Sequence, residues 1–115
     1  MGLRSVGYLC GNVLVVSIDG VLLSLQYDDV EKRFTSVLKF EGNIVGECKE
    51  IEVNIEIQYD IKYFPRVYYT IYKVQFDSSD GYLLERYDGT SGSSSFYVCY
   101  DYKECRKLID ELEEE

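Results

Sequence analysis

The stretch IEVNIEIQY, residues 51–59, decides the fold class. Ile51, Val53, Ile55, Ile57 and Tyr59 alternate without a break with Glu52, Asn54, Glu56 and Gln58. Successive strand residues point to opposite faces, so a period of two yields one apolar face and one polar, mainly acidic face. That is the pattern of an antiparallel strand with a core on one side and water on the other.

The same alternation extends both ways, over residues 13–100. Upstream, residues 13–18 and 21–27 flank Asp19-Gly20, a strong hairpin signal because both residues tolerate positive φ. A polar turn at 28–32 leads into a strand over 33–40, and Glu41-Gly42-Asn43 turns the chain again. Downstream, Pro65 is the only proline and separates the first stretch from a Tyr-rich strand over 67–76. Ser78-Ser79-Asp80-Gly81 then reverses the chain into 82–87, and a Gly/Ser loop over 89–95 precedes a last strand over 96–100.

Only the C-terminal end has helical spacing. Cys105, Leu108, Ile109 and Leu112 recur at i, i+3, i+4 and i+7, Asp101 can cap, and Glu104 completes an acidic capping box. The sequence therefore predicts a mainly β, β-rich α+β chain. Residues 1–115 form a single domain with an antiparallel sheet of about seven or eight strands. The sheet curls into a sandwich or open barrel, and one helix over about 102–113 packs on it.

Composition narrows the function classes. Asp and Glu number 21 against 12 Lys and Arg, a net charge of −9, while His and Trp are absent and Tyr occurs 12 times. Such a surface repels phosphates, which argues against direct nucleic-acid binding and against an anionic membrane surface. Without His the commonest general base and metal ligand are both missing, and no metal or cofactor is expected. No Ser of the loop over 89–95 has a His partner, and that loop lacks the lysine and following helix of a phosphate-binding loop. The acidic turns around Asp28 and Asp77 lack calcium-loop spacing, and turn chemistry accounts for them. No catalytic residue is assigned, and the chain is read as non-enzymatic.

Cys10, Cys48, Cys99 and Cys105 contain no Cys-x-x-Cys pair. Buried free thiols are the favoured expectation and disulfides the minority one. No stretch reads as a leader or a bilayer span, so cytoplasmic residence, or host cytoplasm for a virus-encoded protein, is the expectation.

Two features point to contacts with a partner. Glu50, Glu52 and Glu56 share one face of a strand, with Glu47 just before them, and alternate strand residues lie about 6.5–7 Å apart, comparable to the phosphates along a nucleic-acid strand. Tyr63, Arg66, Tyr68 and Tyr69 crowd the chain around Pro65, and Tyr and Arg are enriched at interface anchors. The sequence thus favours a small acidic inhibitor or immunity-type (counter-defence) factor that blocks a basic, nucleic-acid-binding surface of a protein partner. The alternative is a homo-oligomeric structural or assembly protein, viral in type. Its dimer would form through the Tyr-rich strand or the helix stripe.

Overall fold

In the computed structural model the described residues are 2–42, 46–63 and 66–114, with side chains described at 4–42, 46–59 and 66–114. Eight strands run in chain order: β1 (Gly2–Cys10), β2 (Val13–Ile18), β3 (Val21–Asp28), β4 (Arg33–Lys39), β5 (Lys49–Tyr63), β6 (Val67–Phe76), β7 (Ser79–Asp88) and β8 (Ser93–Cys99). A single helix, α1 (Tyr102–Glu113), follows. All ladders are antiparallel, and the sheet order is β4-β3-β2-β1-β5-β6-β7-β8. Because β4 at one end of that order packs against β8 at the other, the sheet curls into a nearly closed barrel. Every connection but one joins neighbouring strands, so local turn chemistry does most of the folding work. The exception, from β4 to β5, carries the chain past three strands.

Alternation fills the barrel. Leu14, Val16 and Ile18 of β2, Leu23 and Leu25 of β3, Val53 and Ile55 of β5, Val74 and Phe76 of β6 and Leu83 of β7 form one buried core. Tyr27, Phe34 and Phe76 close it at one end, with ring centroids 5.1 to 5.7 Å apart. Edge-to-face and offset contacts of this kind add about 0.5–1.5 kcal/mol beyond their buried area.

A second core lies on the outside of the sheet, under α1. Tyr69, Ile71, Leu84, Cys99, Cys105 and Ile109 are buried there, with Leu108 and Leu112 packed against them. The apolar stripe of the helix is thus consumed within the chain. Asp101 caps α1 by accepting the Glu104 amide at 2.9 Å, and the Glu104 carboxylate accepts the Tyr100 amide at 3.0 Å. The reciprocal bond of the capping box therefore falls one residue earlier than the usual motif places it.

The strand of residues 51–59 does not alternate to its end. The register between β5 and β6 shifts between Ile57, paired with Tyr72, and Tyr59, paired with Ile71. The extra residue, Gln58, is a bulge and exchanges the faces beyond it. Tyr59 consequently leaves the barrel side and packs in the core under α1, where Arg106 lies 4.0 Å above its ring.

Three local expectations are corrected. The turn expected at 78–81 sits at Asp77 and Ser78, whose φ values of 43° and 65° are left-handed, and Gly81 belongs to β7. The loop expected over 89–95 ends earlier, since Ser93, Ser94 and Ser95 pair with β7. The four cysteines are not free: Cys10 is joined to Cys48 and Cys99 to Cys105. The turn at 41–43 is described only as far as Gly42.

The sequence also left residues 2–10 unassigned. Their inward positions carry Ser5 and Gly7, which weakens the apolar alternation. Gly7 is required there, because a Cβ would lie 2.7 Å from Cγ2 of Val53.

Candidate functional site

The expected acidic residues share the outer face of the sheet. On β5, Glu50 pairs across the ladder with Tyr8, Glu52 with Val6 and Asn54 with Arg4. Glu50 and Glu52 are exposed and Glu56 is half-buried, while Glu47 is exposed just before the strand. This face is not purely anionic. Arg4 lies 3.7 Å from the Glu52 carboxylate, and Lys73, opposite Glu56, lies 3.9 Å from Asp80. Gln58 donates to Glu56 at 2.6 Å and Asn54 to Gln75 at 3.0 Å, which fixes the polar row. Val6, 56% exposed, supplies an apolar spot beside it.

The Tyr and Arg residues are not brought together as one surface. Tyr69 is fully buried beneath α1, where its hydroxyl donates to Glu113 at 2.6 Å and accepts from Arg86 at 3.2 Å. Its phenol is pushed up to about 12, first by burial and then by the Glu113 carboxylate, with Arg86 opposing. It is a core residue that ties sheet to helix and is removed from the contact set. Tyr68 is exposed, its ring 6.0 Å from that of Tyr87, and Arg66 is exposed at the start of β6. Tyr63 ends β5 opposite Val67, and its side chain lies outside the described ones.

The most unusual polar group is one the sequence reading passed over. Glu85, only 2% exposed, is the one buried charged residue among those described. It shares the inward phase of β7 with Leu83 and Gly81. Tyr72 donates to its Oε1 at 2.7 Å and Ser94 to its Oε2 at 2.8 Å. Burial raises the Glu85 carboxyl above its ordinary range; the Tyr72 and Ser94 hydroxyls oppose that and Asp19 adds to it. The Tyr72 phenol is likewise raised, by burial first and then by Glu85. The visible clue was a carboxylate two residues from Leu83 in a strand, on the phase that alternation assigns to the core.

Beside this cluster the barrel wall is parted. The β1–β2 ladder runs only from Cys10/Val13 to Tyr8/Val15, although β1 continues along β5 to Gly2 and β2 continues along β3 to Ile18. An open cavity of ≈ 330 Å³ occupies the parting, lined by Arg4, Ser5, Ser17, Asp19, Ile55, Ile57 and Tyr72. Ile57 points to the barrel side yet is 46% exposed.

No group of three or more potential metal ligands occurs among the described residues. No helix among them is long and apolar enough to cross a membrane. Compared with protein-family models, with curated proteins and with solved structures, the chain matches none.

Proposed function

We propose that this protein is a non-enzymatic acidic interaction module that covers a basic surface of a protein partner. The observation that carries this is the outward row Glu50, Glu52 and Glu56 on a strand in the middle of the sheet order, in a chain of net charge −9. The ladder holds Glu50 and Glu52 about 6.5–7 Å apart and Glu56 at about twice that spacing beyond Asn54, so little side-chain ordering is needed to meet a row of Lys or Arg. Charge of this density speeds encounter with a cationic partner, and Val6 beside the row offers apolar contact that slows release. Arg4 and Lys73 break the row and give it a pattern, which favours one charge arrangement over generic polycation binding.

Of the two surfaces through which a homo-oligomer was expected, the helix stripe is occupied inside the chain, whereas Tyr68 and Arg66 of the Tyr-rich stretch stay exposed. The helix stripe packs on β6 to β8, and Tyr69 lies beneath it. The bridged cysteines bear on the expected compartment. Disulfides persist in oxidising compartments and inside hyperthermophiles, and either setting suits the pairs seen here.

The test is capture of the partner from extract of the source organism on immobilised protein, compared with the Glu50→Lys/Glu52→Lys variant. A basic protein released by high salt and lost with the variant is the expected result. Equal capture by the variant, with its melting temperature unchanged, would remove the acidic face from the mechanism.

A further inference from the structure

We propose that the parting between β1 and β2 is a binding site for a primary alkylammonium group. The site is a cleft with apolar walls and an anionic end, and it does not depend on the acidic outer face described above. Ile55 and Ile57 supply the apolar wall, Ser5 and Ser17 line it, and the Asp19 carboxylate stands at the hairpin tip. Tyr72 contributes to the lining, and its hydroxyl leads directly to buried Glu85.

The arrangement selects by chemistry. The Asp19 carboxylate lining the cleft disfavours an anion. Arg4 also lines the cleft, but its guanidinium is drawn to Glu52, 3.7 Å away, with both side chains largely exposed. A bare metal ion lacks its usual ligands, since no suitable group of three occurs among the described residues. An alkyl chain against Ile55 and Ile57 with an ammonium at Asp19 satisfies both ends, and the Tyr72 ring can add cation–π attraction. The size agrees with a small occupant, because ligand clefts start at about 300 Å³.

The interrupted ladder explains why the cleft is present in an otherwise paired sheet. Strand β1 bends away with β5 while β2 remains with β3, so the two part beyond Tyr8 and Val15. An ammonium on a flexible alkyl stem could belong to a free amine or to a lysine side chain of a protein partner. Both share the chemistry recognised here.

The experiment is an amide-shift titration of isotope-labelled protein with n-pentylamine, n-pentanol and the N-acetylated amide of lysine. Pentylamine should shift the amides of Ser5, Ser17, Gly20 and Ile57 saturably, and pentanol should bind at least tenfold more weakly. Asp19→Asn should weaken pentylamine by a similar factor. Asn is isosteric and tolerates the left-handed φ of 53° at this position, so the hairpin survives the change. Equal affinity for amine and alcohol, or no saturable shift at these four amides, would overturn the proposal. Tighter binding of the lysine derivative than of pentylamine would assign the site to a protein side chain, and the reverse order to a free amine.

Discussion

The ring of Phe34 on β4 lies over the backbone of Gly81 on β7, so closely that a Cβ at 81 would stand 2.4 Å from Cδ2 and Cε2 of the ring. This contact joins β4, at one end of the sheet order, to β7, next to last at the other, and helps to close the barrel. Both residues are buried, and Phe34 also touches Tyr27 and Phe76, so its ring has nowhere to retreat. Gly81→Ala should therefore destabilise the fold by about 1–3 kcal/mol, the usual cost of overpacking. Phe34→Leu alone should also destabilise it, but in the double variant the two costs should sum to less than their separate values. Urea denaturation of the four proteins measures this, and strict additivity would show that the ring and the glycine do not meet.

Gly81 also shows where sequence reading reaches its limit. In the sequence, Ser-Ser-Asp-Gly reads as a turn because Gly is the usual turn residue. Here its lack of a side chain serves packing between distant strands, which no local pattern records. The bulge at Gln58 has the same character: one inserted residue changes no composition but moves Tyr59 to the opposite face. What was legible rested on short-range physics, namely the Asp19-Gly20 hairpin, the alternation over 51–57 and the stripe and cap of α1. The acidic row was legible for the same reason. The cleft and Glu85 depend on which strands part and which stay paired, and that is a property of the closed sheet.

The two disulfides should differ in their effect. Cys10–Cys48 spans 38 residues and ties the end of β1 to the segment before β5, whereas Cys99–Cys105 spans 6 and ties β8 to α1. In the chain-entropy account, closing the longer loop is worth about 3–4 kcal/mol and the shorter about 2 kcal/mol. Replacing Cys10 and Cys48 by Ala should therefore lower the unfolding midpoint more than replacing Cys99 and Cys105. The second pair is fully buried, so its loss should also loosen α1 and expose the amides of 105–109 to hydrogen exchange. Alkylation of the unfolded, unreduced protein should label no thiol, and labelling of all four would sink both expectations.

The Glu85 carboxyl makes stability depend on pH in a fixed direction. Its value in the folded chain is raised, chiefly by burial, so the folded state holds the proton more tightly than the unfolded chain. The stabilisation is fully present below the ordinary carboxylate range and is lost as pH rises through the folded value. Glu85→Gln keeps a neutral hydrogen-bonding group for Tyr72 and Ser94 but cannot ionise. The variant should gain on the parent in urea melts as pH rises above the ordinary carboxylate range, until the folded carboxyl has ionised. Parallel curves over that interval would mean that Glu85 is ionised in the folded protein throughout.

The bond from Tyr69 to Glu113 ties the sheet to the end of α1, and it should show itself at high pH. Tyr69→Phe preserves the ring in the core but removes both the donation to Glu113 and the acceptance from Arg86. Glu113 is exposed, so water can replace its lost partner, and the cost at pH 8 should be about 1 kcal/mol, near the low end for a charged hydrogen bond. The Tyr69 phenol is raised in the folded chain from 10.0 to about 12. Its share of the stability is therefore complete below pH 10 and is lost as pH rises towards 12. Parent and variant should converge as urea midpoints are followed from pH 8 to pH 11, since Phe has no proton to lose. A constant gap over that range would place Tyr69 in contact with water, outside the core that α1 covers.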